Sequence, residues 1–239
     1  MNTASHRAAG RPQGDDARGV LTGSGAHVLV LPGGGYSTHA PHEAEPIVEW
    51  LEGLGARASV FRYPLHARHP VPLEALRREI RRRRDGGADR IGIVGFSAGG
   101  HLAGLAALGP SSDQHETVDF VVTGYAITSM ETETYRPSRI ILLGEHATPQ
   151  LRRETSLDAL VTPSAPPFFI WHTAEHVYVP PEHAYRLARA LAANDVAHTV
   201  HVFAHGPHSL GLARGAGDAE IWTTLAASWI AERIAPIVA

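Results

Sequence analysis

Short apolar runs alternate along this chain with stretches whose apolar residues recur at helical spacing. The run AHVLVL at 26–31 reads as a buried strand and passes directly into Pro32-Gly33-Gly34-Gly35. Residues 46–54 follow as a helix, with Ile47, Trp50, Leu51 and Leu54 on one face. Residues 58–63 read as the next strand, and 71–84 as a helix carrying Leu73, Leu76 and Ile80. A strand at 91–96 leads into a helix of small residues at 98–108. Strands at 120–123 and 168–172 come next. A helix at 181–193 then sets Ala184, Leu187, Ala188 and Leu191 at i, i+3, i+4 and i+7. The last strand is 200–203, and a helix over 218–234 closes the pattern with Ile221, Trp222, Leu225, Trp229 and Ile230.

Strand and helix alternating through a chain predict an α/β fold, a mostly parallel central sheet with helices on both faces. Residues 26–239 read as one domain. Residues 1–25, rich in Gly, Ala, Arg and Asp without a period, read as a flexible N-terminal tail. The stretch 125–167 lacks an obvious strand and reads as a lid or cap, with a short helix around 149–154.

Ligands of such sheets sit outside the carboxyl ends of the strands, so the loops after the strands are where chemistry is sought. Gly95-Phe96-Ser97-Ala98-Gly99 follows the strand IGIVGF and opens a helix. In that context G-x-S-x-G places a nucleophilic serine on a tight strand-to-helix turn, and flanking glycines are needed because a Cβ would collide with neighbouring chain. Ser97 is therefore the candidate nucleophile. Gly33-Gly34-Gly35 follows the first strand, where the backbone N–H of Gly34 or Gly35, with that of Ala98, can form an oxyanion hole. A nucleotide-binding loop is the weaker reading. There is no G-x-G-x-x-G, and Tyr63-Pro64 ends the second strand where an acidic residue would be needed. His205 and His208 lie on the loop after the last strand, where the base of such a site belongs.

Composition narrows the chemistry. The 239 residues contain no Cys, which excludes disulfides, a thiol nucleophile, Cys-ligated zinc and iron–sulfur clusters. All 21 basic residues are Arg, so no Schiff-base or P-loop lysine is present. A net charge of −3 argues against nucleic acid. The arginines at 77, 78 and 81–84 read as the solvated face of one helix. No apolar run reaches the ~18 residues of a membrane helix. Without an apolar leader core, the expected compartment is the cytoplasm. Among the 16 histidines, His172, His176, His201, His205 and His208 are close in sequence, but strand positions and spacing do not form a metal-ligand set.

Several segments resemble one family. PGGGY, PHEAEPIVEWL, RYPL, DRIGIVGFSAGGHLA and the stretches LLGEHATPQLRRETSLDALVTPSAPPFFIWHTAEH and VPPEHAYRLARALAANDVAHTVHVFAHGPHSLGLA look like the acetylxylan-esterase-like and BD-FAE-like esterases of the α/β-hydrolase superfamily. The resemblance implies an α/β-hydrolase fold, and since residues 1–25 show no strand pattern, the first one or two N-terminal strands usual in the family are expected to be lacking. It also implies hydrolysis of small or acetylated carbohydrate-like esters and no cofactor. It makes Ser97 the nucleophile, His208 the base, and Gly34, Gly35 and Ala98 the oxyanion hole. Tyr36, Trp171 and Tyr178 are candidate substrate contacts, with core packing the alternative for the latter two. Where the family carries its triad aspartate, this chain has His176, preceded by Glu175. The third member is therefore open between Glu175, His176 and an acid from another loop such as Glu131. The expected partner is a small ester substrate, with a homodimer left open. The rivals are an acyltransferase or cyclising enzyme of specialised metabolism, and a binding protein that has lost turnover.

Overall fold

A computed structural model describes residues 25–235. The tail assigned to residues 1–25 lies outside the described residues except for Gly25. Six strands form one sheet: β1 Ala26–Leu31, β2 Arg57–Val60, β3 Arg90–Phe96, β4 Phe120–Gly124, β5 Phe168–Thr173 and β6 His198–Phe203. All neighbours pair parallel, in the order β2-β1-β3-β4-β5-β6. The helices are α1 Glu45–Gly53, α2 Val71–Asp85, α3 Ala98–Leu108, α4 Arg136–Leu143, α5 Pro149–Glu154, α6 Leu157–Leu160, α7 Glu182–Ala193 and α8 Trp222–Ile234.

The period-2 alternation of the inner strands splits the core into two layers. Leu29, Leu31, Ile91 and Ile93 face α2, α3 and α7, where Leu76, Leu102 and Leu187 meet them. Val28, Val30, Val94 and Phe96 face α1 and α8, where Ile47, Leu51, Trp222 and Ile230 are buried. Every residue of β1, β4 and β5 is buried, as expected for strands covered on both faces. The edge strands depart from the expected boundaries. β2 runs over 57–60 instead of 58–63, and β6 begins two residues early. Their half-exposed residues carry a weaker apolar signal. The closing helix is divided, with a 3-10 turn at Gly217–Ile221 before α8.

The chain moves from β1 outward to β2, then returns to place β3 on the other side of β1. That reversal is a topological switch point, and it leaves a crevice at the carboxyl ends of the two strands. The register pairs Leu31 with Gly95, so the loop after β1 and the turn after β3 emerge side by side. At the other flank Thr173 pairs with Phe203, which sets the loops after β5 and β6 together. The segment 125–167 carries α4 and α6 as well as the expected short helix α5. It is anchored to the body of the fold by Leu157, fully buried against Gly104 of α3.

Candidate active site

Ser97 sits at φ 50° and ψ −118°, a backbone conformation that L-residues rarely adopt. Holding it costs on the order of 1–3 kcal/mol, and the surroundings enforce it. The Ser97 N–H donates to Gly124 O (2.9 Å) and the His101 N–H to Ser97 O (3.0 Å). A Cβ on Gly95 would lie 2.6 Å from Gly99 O, and one on Gly99 only 2.2 Å from Leu31 O. The two motif glycines therefore let the turn press against its own helix and against β1.

The loop after β1 is shaped from beneath by a residue that sequence reasoning passed over. Glu43, at the end of a 3-10 turn over Pro41–Glu43, is fully buried. Its Oε2 accepts the Gly33 N–H (2.7 Å). Its Oε1 accepts the hydroxyls of Tyr125 and Ser209, both at 2.7 Å. One carboxylate thus joins the glycine loop, the end of β4 and the histidine loop. The only local signal was an acidic residue ahead of a helix, which ordinarily reads as solvated. Since Gly33 gives its N–H to Glu43, the donors left for a ligand are those of Gly34, Gly35 and Ala98. None of these three donates to another group among the described residues.

His208 and Ser97 line one cleft of about 360 Å³, together with Gly34, Gly35, Tyr135 and Tyr178. No hydrogen bond joins Ser97 Oγ to His208 among the described residues, and such bonds are often long before substrate binds. His208 Nδ1 lies 2.5 Å from His176 Nε2, and the Val179 N–H donates to His176 Nδ1 (3.0 Å). Tyr125 stacks beside His176, with ring centroids 5.8 Å apart. Burial lowers the His208 pKa to about 4. His176 is lowered to about 3, by burial first and then by the neighbouring His172 and His208.

The remaining candidates separate cleanly. Glu175 does not reach His208; it turns outward and pairs with exposed His205 at 2.8 Å. Glu131 is on a different loop and faces Arg153 at 3.9 Å. Tyr36 is fully buried, with its hydroxyl on His101 Nδ1 (2.7 Å), and does not line the cleft. Trp171 is also a core residue, stacked on Trp222 at 4.7 Å. Tyr36 was expected as a substrate contact and Trp171 as either a contact or a core residue; both are large rings that complete the packing around the sheet. Tyr178 does line the cleft, 55% exposed, with Tyr135 edge-on to it at 5.5 Å. Tyr135 lies in the segment without strand pattern, so nothing in the sequence pointed to it.

Among the described residues no group of three or more His, Cys, Asp or Glu could hold a metal ion. None of the described helices is long and apolar enough to cross a membrane. A larger groove of about 750 Å³ lies at the far end of α3. Its acidic residues Asp113, Glu116 and Asp119 are paired with Arg81, Arg77 and Arg84.

A parallel sheet with its switch point between β1 and β3, and a serine on a strained strand-to-helix turn at that point, define an α/β hydrolase. The BD-FAE family profile matches residues 85–191. The acetyl ester-xyloside bifunctional hydrolase of Caldicellulosiruptor lactoaceticus superposes with a TM-score of 0.83 at 35% identity, covering 87% of this chain and 83% of that one. This chain belongs to the BD-FAE, acetylxylan-esterase-like family of α/β-hydrolase esterases. Endo-1,4-beta-xylanase B of Butyrivibrio fibrisolvens is 32% identical over 209 residues, which are 78% of this chain and 32% of the xylanase. The acetylxylan esterase of Xylanibacter ruminicola is 31% identical over 131 residues, 51% of this chain and 27% of that protein. The chain spans about a third or less of the length of these two relatives.

Proposed function

We propose that this protein is a serine carboxylic-ester hydrolase acting on small acetyl-type esters of carbohydrate-like alcohols. The observation that carries the proposal is the placement of Ser97. Its strained turn opens into a cleft walled by the Gly34–Gly35 loop and by His208. Ser97 Oγ attacks the ester carbonyl while His208 Nε2 takes its proton. The oxyanion is held by the N–H groups of Gly34, Gly35 and Ala98, which point at charge that exists only in the transition state. The proton passes to the departing alcohol, leaving an acyl group on Ser97. Water, deprotonated by the same imidazole, then releases the acid.

Size and lining support the substrate class. A cleft of about 360 Å³ is at the small end of ligand sites. Tyr135 and Tyr178 offer aromatic faces at its mouth for a sugar-like alcohol. The names of two relatives, an acetyl ester-xyloside hydrolase and an acetylxylan esterase, point the same way.

The test is acetate release from acetylated xylo-oligosaccharides and from p-nitrophenyl acetate, with a fluorophosphonate adduct mapped by mass spectrometry. The expected results are an adduct on Ser97 and loss of turnover in Ser97→Ala. Turnover retained in that variant, or an adduct elsewhere, ends the proposal. His208→Ala is expected to lose turnover and His205→Ala to keep it.

A further inference from the structure

We propose that His176 is a positioning residue that holds His208 in the Nε2–H tautomer, so that the resting site presents Ser97 with a proton donor instead of a base. The inference rests on Ser97 as nucleophile and His208 as base, and deepens that reading. It begins at a group whose polarity is fixed. The Val179 backbone N–H can only donate, and it points at His176 Nδ1. That nitrogen therefore carries the lone pair, and the single proton of neutral His176 is on Nε2. His176 Nε2–H in turn faces His208 Nδ1 at 2.5 Å and donates to it. His208 Nδ1 is then the acceptor, which leaves the His208 proton on Nε2.

A serine-activating base needs the reverse arrangement, with the proton on Nδ1 and the lone pair toward the serine. Two routes lead there. His176 can exchange its own tautomer, which sets Nδ1–H against the Val179 N–H. Alternatively His208 can take a proton on Nδ1 and release the one on Nε2, which sets two N–H groups face to face at the His176 contact. Each route breaks a buried hydrogen bond. Nothing nearby relieves the second with negative charge. His176 is packed by His172, Tyr125 and His208, and His208 by His176, Tyr125 and Tyr178. No carboxylate bonds to either ring among the described residues. Glu175 is engaged by His205, and Glu43 is engaged by the Gly33 N–H and the hydroxyls of Tyr125 and Ser209. The low pKa values of both imidazoles fit a pair that resists protonation. Catalysis consequently runs through a minor tautomer. In the serine-protease triad, asparagine in place of the aspartate imposes the same wrong tautomer and lowers kcat by about 10⁴.

The experiment is 15N NMR of the histidine rings at pH 7.5, with His208 assigned by difference from His208→Gln, alongside steady-state hydrolysis of p-nitrophenyl acetate. The expected spectrum has His208 protonated on Nε2 in the wild type and on Nδ1 in His176→Asp. The same substitution is expected to raise kcat by about 10-fold or more, because the carboxylate accepts Nδ1–H and stabilises the imidazolium. Protonation of His208 on Nδ1 in the wild type overturns the proposal. So does an unchanged kcat in a His176→Asp protein whose tautomer has switched. If His176→Asp does not fold, the wild-type spectrum alone decides. The spectrum needs no turnover, so it is read independently of the Ser97→Ala test of the esterase reading.

Discussion

Removing the Glu43 carboxylate tests whether the site is held together from below. In Glu43→Ala, two buried donors, the Gly33 N–H and the Tyr125 hydroxyl, and the half-buried Ser209 hydroxyl lose their acceptor. Each unsatisfied buried donor costs about 1–3 kcal/mol. Partial relief is available. Ser209 Oγ also lies 3.0 Å from His42 Nε2, which can accept its proton, whereas the Tyr125 oxygen only accepts, from the Gly211 N–H at 2.9 Å, and its own proton stays unpaired. With two fully buried donors left unpaired and one partly relieved, the expected loss of stability is about 3–5 kcal/mol. Glu43→Gln keeps the shape, and rotating hydroxyls can accept from its amide, so about 1–2 kcal/mol is expected. The catalytic effect follows from Gly33. Its N–H is pinned by Glu43 directly before Gly34 and Gly35, so release displaces the proposed oxyanion donors. Loss of one such donor lowers kcat by about 10²–10³. We expect about 10-fold from Glu43→Gln and at least 10² from Glu43→Ala. KM should change little, because the donors act mainly on the transition state. Urea unfolding and p-nitrophenyl acetate kinetics on the two variants measure both quantities. A Glu43→Ala protein with wild-type stability and kcat would refute the reasoning.

Two further outcomes concern the scaffold. His27, His101 and His172 are each lowered to about 4 by burial, whereas an unfolded histidine titrates near 6.5. Between those values the unfolded chain binds more protons, so stability is full above about pH 6.5 and falls as the pH drops toward 4. Fully buried His101 alone accounts for about 3 kcal/mol of this loss. Urea midpoints measured from pH 7.5 to 4.5 check it, and a flat profile contradicts it. Gly99→Ala would put a methyl 2.2 Å from Leu31 O and 2.5 Å from Pro32 O, an overlap with rigid strand backbone. The expected cost is about 3 kcal/mol or more, with loss of turnover as β1 and the Ser97 turn are pushed apart. A variant with an unchanged unfolding midpoint contradicts that packing argument.

The sequence by itself determined the six strands, the helices that cover them and their order, but not α4 and α6 in the segment 125–167. Apolar runs such as AHVLVL and IGIVGF can only be inner strands of a covered sheet, and Leu73, Leu76 and Ile80 can share one face only on a helix. The strand–Ser97–helix turn was legible for the same reason, since glycine, serine and glycine within five residues are a purely local constraint. Boundaries were least legible at β2 and β6, where edge residues are only half buried and the pattern fades. What only the tertiary structure decided is which distant side chains meet. Glu43 and Ser209 are 166 residues apart, and His176 and His208 are 32 apart. Their contacts depend on the strand order and on how each loop leaves the sheet. A one-residue difference in the loop after β5 separates Glu175, turned to solvent, from His176, turned inward. Burial of Tyr36 and Trp171 was likewise a matter of packing. An aromatic beside a catalytic loop carries the same local signal whether it lines a cleft or fills the core, and only the surrounding layers determine which.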